Sequence, residues 1–142
     1  MSILIVEDDP ACAKIIDTTL VKRKFQTIVA RSGRDALESL RDHHDVQLMI
    51  TDLGMPEMGG LTLLRHLREI PAWSNLPVII CTVFGDLQSV EEAAELGCTQ
   101  YLLKPISKEL LIRHVRQALG IRRKSPTPPT EARVRSLALK AS

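Results

Sequence analysis

Five short apolar runs, each followed by an amphipathic segment, constrain this chain more than any other feature of its sequence. The runs at residues 3–6, 27–30, 47–51, 78–82 and 99–103 are short and nearly continuous in apolar character, as strands buried on both faces are. The segments at 10–24, 32–42, 61–70, 87–96 and 107–119 repeat apolar residues near a 3.6 period. Cys12, Ile15, Ile16 and Leu20 carry the period in the first helix, and Leu61, Leu64 and Leu67 in the third. Gly97 closes the fourth helix, while Ser107 opens the fifth as an N-cap and Gly120 follows it. Gln26 and Arg31 flank the second run, which suits an edge strand. Five β–α units of this kind imply an α/β fold, a parallel sheet with helices on both faces. Right-handed crossovers then favour the flavodoxin-like, doubly wound (βα)5 arrangement with strand order 2-1-3-4-5.

The beat stops near residue 120, so residues 1–120 are expected to form one domain and 121–142 a basic, Pro-containing tail or linker. In the tail, SPTPPT at 125–130 reads as a stiff polar linker, and residues 131–140 have the pattern of a short, marginal helix. Six basic residues stand there against Glu131, a net +5, so with the whole chain at +2 the first 120 residues carry −3. A mildly acidic body does not suit a nucleic-acid-binding face, and direct DNA binding is not expected. No stretch approaches the roughly 20 apolar residues of a membrane span, and the N-terminus lacks the pattern of an export signal. Cys12, Cys81 and Cys98 show no paired-ligand spacing, which fits free thiols in a reducing cytoplasm, with Cys81 in the core.

Open α/β sheets bind ligands beyond the carboxyl ends of their strands. On that rim the first strand ends in Glu7-Asp8-Asp9, the third in Asp52, the fourth in Thr82 and the fifth in Lys104-Pro105. Each residue has an ordinary alternative reading. Asp9 before Pro10 makes a good N-cap, and a single Asp after a strand is more often a turn residue than a reactive group. Together they demand more, because clustered carboxylates repel one another unless a cation sits among them. A hard divalent cation takes oxygen ligands, and Asp8 and Asp52, with Glu7 close by, supply them. Lys104 and Thr82 would then provide charge and a hydrogen bond for an anion beside the metal.

The stretches ILIVEDDP, ITDLGMPEMGGLTLL, VIICT and YLLKPI, in this order and spacing, resemble the receiver domain of bacterial two-component response regulators. The resemblance covers residues 2–120. It implies that Asp52 is the phosphoacceptor for a sensor histidine kinase or phosphotransfer protein. It further implies an Mg²⁺ site made by Glu7, Asp8, Asp52 and the backbone carbonyl of Gly54. Lys104 would contact the phosphoryl group, Thr82 would be the switch hydroxyl, Tyr101 the aromatic that follows it inward, and Pro105 would follow a cis peptide. Output is expected through a protein partner on the 87–119 face.

Some positions depart from the family pattern. Gly59 stands where Asp is usual, Val83 follows the switch Thr where Ala or Gly is common, and Leu53 replaces an aromatic found in some members. Val83 is expected to narrow the approach to Asp52. The single Trp, Trp73, falls in a remote loop, and His43, His44, His66 and His114 match no site position and read as surface or helix residues. A dehalogenase-like phosphatase would want a second Asp where Gly54 stands, and a flavodoxin-like cofactor binder would want a phosphate-binding loop after the first strand. A phosphorylation-independent adaptor, or a fragment of a longer regulator with its output domain elsewhere, are the alternative readings.

Overall fold

The first apolar run forms strand β1 (Ser2–Val6), buried along its whole length. In the computed structural model, which describes residues 1–121, four further strands and five helices alternate after it. Helix α1 (Pro10–Lys22) starts behind Asp9, whose carboxylate accepts from the Ala11 N–H at 3.3 Å, with proline in the first turn. It stops short of residue 24 because Lys24 turns to φ 69°, outside helical geometry. β2 (Gln26–Ala30) leads to α2 (Gly33–Asp42), where the Ser32 hydroxyl caps the N–H of Asp35. β3 (Val46–Thr51) and α3 (Gly60–Glu69) follow, then a short 3-10 helix, Pro71–Trp73, where a plain loop was expected. β4 (Val78–Thr82), α4 (Leu87–Glu95), β5 (Gln100–Leu103) and α5 (Lys108–Ala118) complete the order. Gly97 takes φ 78° just past α4, and Ser107 caps α5 through the Leu110 N–H.

The sheet is parallel throughout, in the order β2-β1-β3-β4-β5. Because side chains alternate along a strand, β1 sends Ile3 and Ile5 to one face and Leu4 and Val6 to the other. The first pair packs with Ile16 and Leu20 of α1 and Leu111 and Val115 of α5. The second packs with Leu40 of α2, Leu64 of α3 and Val90 of α4. Each such fully buried Leu or Ile contributes about 1.5–3 kcal/mol of hydrophobic stabilisation. On the register of α3, Leu63 is buried and Leu61 only partly so, which rotates its apolar stripe slightly from the expected one. β2 is an edge strand, with Val29 40% exposed.

Two features of α3 shape its surroundings. At its start the chain folds back on the segment after β3: the Gly60 N–H bonds the Leu53 carbonyl at 3.2 Å. A Cβ at Gly60 would lie 2.1 Å from the Asp52 carbonyl oxygen, so only glycine allows this approach. Near its end, the Arg68 guanidinium donates to four carbonyls, those of Leu96 (2.7 Å), Leu76 (2.9 Å), Trp73 and Gly97 (both 3.1 Å). One side chain thus ties α3 to the end of α4 and to the segment before β4. The expectations for the tail fall on residues 122–142, outside the described residues.

Candidate functional site

Ladder hydrogen bonds continue one residue past the strands and carry the site residues to a common edge. The Glu7 N–H bonds the Ala30 carbonyl at 3.0 Å, the Asp52 N–H bonds that of Val6 at 3.2 Å, and the Lys104 N–H bonds that of Thr82 at 2.8 Å. Since β1, β3, β4 and β5 are neighbours, Glu7, Asp52, Thr82 and Lys104 meet at the carboxyl ends of four adjacent strands. Topology alone brings them together.

Lys104 lies at the centre. Its ammonium stands 2.6 Å from Glu7 Oε1 and 2.9 Å from Asp52 Oδ2. The other Asp52 oxygen accepts from the N–H groups of Leu53 at 2.6 Å and Gly54 at 3.2 Å, and Glu7 Oε2 accepts from the Asp9 N–H at 3.2 Å. The side chain of Glu7 is 2% exposed and that of Asp52 is 11% exposed. Burial raises the pKa of Glu7, and the Lys104 hydrogen bond only partly offsets it. At Asp52 burial pushes upward too, but hydrogen bonds from Lys104, Thr82 and the Gly54 N–H outweigh it and hold the carboxyl below its ordinary value. Burial favours neutral Lys104, yet its two carboxylate partners prevail and raise its pKa. Asp52 is therefore ionised and Lys104 protonated at neutral pH.

Exposed Asp8 completes the cluster: Glu7, Asp8 and Asp52 each offer an oxygen, all within 4.8 Å of one another. Against these three acids the site sets one ammonium, which leaves an excess of negative charge for a cation to offset. The donors are hard oxygens, so the set suits Mg²⁺ and not a thiophilic metal.

The remaining predicted residues gather around this rim. Thr82 is fully buried and its hydroxyl accepts from the Phe84 N–H at 3.3 Å. Tyr101 is also fully buried, pointing inward, and its hydroxyl donates to the Phe84 carbonyl. The Lys104–Pro105 peptide is cis, and Gly54 is exposed beside Asp52. Sequence reasoning passed over two neighbours. The Cys12 thiol lies beside Glu7, where burial, together with that carboxylate, pushes its pKa to about 11. The Phe84 ring, not the two-thirds-exposed Val83, lies against Gly54. His43, His44 and His66 are exposed, whereas His114 is buried in α5 beside Gln117. Among the described residues no helix is long and apolar enough to cross a membrane.

The chain is similar to known proteins in sequence and fold. The chain is 31% identical over 121 residues to a chemotaxis protein CheY homolog of Campylobacter jejuni, covering 84% of this chain and 93% of that protein. It is 33% identical over 119 residues to the polar-differentiation response regulator DivK of Brucella ovis, covering 84% and 96%. A response regulator receiver protein from Pseudomonas putida superposes with a TM-score of 0.79 at 27% identity, covering 82% of this chain and 95% of that one. The model of the response regulator receiver domain matches residues 3–116, a span that begins in β1, ends in α5 and includes every residue of the rim. With sheet order, rim and sequence in agreement, this chain belongs to the response regulator receiver domain family.

Proposed function

We propose that this chain accepts a phosphoryl group on Asp52 from the phosphohistidine of a sensor histidine kinase or phosphotransfer protein, and relays the signal by protein contact. The observation that carries the reading is the Lys104 ammonium, 2.6 Å from Glu7 and 2.9 Å from Asp52, at a rim shared with Asp8. An Asp52 carboxylate oxygen attacks phosphorus; the new P–O bond forms as the donor's P–N bond breaks, and its electron pair stays on the imidazole nitrogen. The Leu53 and Gly54 N–H groups hold the carboxylate from one side and Lys104 from the other, which orients it without removing its charge. Glu7, Asp8, Asp52 and the Gly54 carbonyl would hold Mg²⁺, which supplies positive charge to the transferring phosphoryl oxygens. Lys104 and the Thr82 hydroxyl then pair with the phosphoryl group, and Tyr101 reports the change to the surface. The acyl phosphate is a stored signal, so the chain is a signalling module and not an enzyme.

For output, α4, β5 and α5 form the favoured face. Leu87 at its near edge is 57% exposed and apolar, while the first 120 residues carry a net −3, which suits a protein and opposes DNA. A pull-down with phosphorylated and unphosphorylated protein, beside a DNA shift assay, tests this. A sequence-specific shift that persists without residues 121–142 overturns it.

The acceptor assignment is tested by incubating the chain with Mg²⁺ and a small acyl- or amido-phosphate donor. One alkali-labile phosphate is expected, and none on Asp52→Asn. Stoichiometric labelling of Asp52→Asn sinks the assignment, and an unlabelled native chain favours the phosphorylation-independent adaptor.

A further inference from the structure

Phe84 sits two residues past β4 and is 48% exposed. It has three attachments. Its N–H donates to the Thr82 hydroxyl at 3.3 Å, its carbonyl accepts from the Tyr101 hydroxyl, and its ring rests on Gly54. The last contact is close: a Cβ at Gly54 would lie 2.9 Å from Cε2 of the ring, so the ring fills the space a side chain would take. Gly54 in turn donates its N–H to Asp52 Oδ1 at 3.2 Å. A continuous path therefore runs from the Asp52 carboxylate through Gly54 and the Phe84 ring to the Phe84 carbonyl and Tyr101.

We propose that Phe84 is a positioning residue, whose ring seated on Gly54 holds its own carbonyl where Tyr101 can bond it, so that the acceptor loop and Tyr101 move as one latch. The functional meaning rests on Asp52 being the phosphoacceptor; the mechanical link does not. Tyr101 is fully buried and its hydroxyl donates to that carbonyl. A displaced carbonyl leaves a buried hydroxyl without its acceptor, a loss that favours outward rotation of the ring. Gly54 is glycine on this account because a methyl group there would unseat Phe84. The ring is the movable end of a side chain, so the fold survives the exchange.

Tyr101 is the only tyrosine in the chain, so fluorotyrosine incorporated throughout gives a single ¹⁹F resonance that reports its environment. Native protein is expected to show one buried resonance, and Phe84→Tyr, which keeps the ring, the same buried resonance beside a second, solvent-accessible one from the introduced tyrosine. Phe84→Ala and Gly54→Ala are expected to move it towards the position of free fluorotyrosine and to increase its response to a solvent relaxation agent. An unmoved resonance in both variants overturns the latch, as does loss of the buried resonance in Phe84→Tyr. Labelling by the small phosphate donor, measured on the same samples, is independent: its failure in native protein rejects the acceptor reading and leaves the Tyr101 result standing.

Discussion

The ammonium of Lys104 lies 2.6 Å from the carboxylate of Glu7, a contact between side chains 97 residues apart that spans the ends of four neighbouring strands. Glu7 is almost fully buried, so this ammonium is what makes its charge tolerable. Lys104→Met should lower stability at neutral pH by about 3 kcal/mol, the cost of leaving a buried charge without its partner. The pH dependence has a definite sign. Glu7 already titrates above its ordinary 4.5, and removal of Lys104 takes away the largest factor lowering it. An acid with a raised folded-state pKa stabilises below its unfolded value and loses that contribution as pH rises. The deficit of the variant should therefore shrink as pH falls from 7 towards about 4.5. Urea melts at both pH values check this, and an equal deficit at each contradicts it. Asp52 works oppositely in the native protein: its depressed pKa stabilises above the ordinary 3.8, and that share is lost as pH falls below it.

Asp8 is the exposed member of the acid cluster, and its loss leaves too few hard oxygens. Asp8→Ala should weaken Mg²⁺ binding by at least the roughly 10–100-fold that loss of an outer-shell partner costs a metal site. Calorimetric titration measures it. Trp73 lies with Pro77 and Val46 around a cleft at the amino ends of the strands, the opposite edge of the sheet. Its fluorescence should stay flat through an Mg²⁺ titration of the native chain, and a large quench would contradict the placement of the cation.

Gly59 caps α3 with no side-chain hydrogen bond, so Asp, usual in the family at this place, looks like an improvement. A Cβ there would stand 2.8 Å from the Leu53 carbonyl oxygen, which is backbone and yields little. An Asp cap gains only a few tenths of a kcal/mol over glycine. Gly59→Asp should therefore destabilise, by about 1 kcal/mol. Gly60→Ala, which puts a methyl into the Asp52 carbonyl, should cost more than about 3 kcal/mol. Chemical denaturation ranks the two, and a gain in stability for Gly59→Asp defeats the argument.

Arg68 donates to carbonyls at the end of α4 and in the segment before β4. Its charge also opposes the negative end of the α4 dipole. Arg68→Met leaves those acceptors without it and should cost about 2–4 kcal/mol. Faster amide exchange should appear in the last turn of α4, with Mg²⁺ affinity unchanged. Uniform exchange across the sheet would show that the tie is not local.

The strands were the most legible part of the sequence. β4 coincides with its apolar run because all five of its residues are buried, and uniform burial leaves a plain signature. The rim was legible for a related reason: standing one residue past a parallel strand is a matter of order along the chain. The end of α1 was not, since Lys24 carries no signal for a positive φ. Nor was His114, a polar residue on the buried stripe of α5. Phe84 and Arg68 were missed because their partners depend on how loops and helix ends meet. Gly54 and Phe84 are thirty residues apart, and nothing local in either segment announces the contact.

The strand order has a further consequence for how such a chain is made. β2, β1 and β3 are adjacent and all lie within the first 51 residues, so three of the five strands can pair before the rest has left the ribosome. β4 and then β5 add at one side, each to the strand synthesised before it. Lys104 follows β5 and is the last of the rim residues to arrive, and until then Glu7, Asp8 and Asp52 face one another without the ammonium that pairs with two of them. A nascent or truncated domain thus presents an acidic rim without its lysine. On the acceptor reading proposed above, competence to receive a signal comes only with the final strand, which makes the completed fold itself the condition for being addressed.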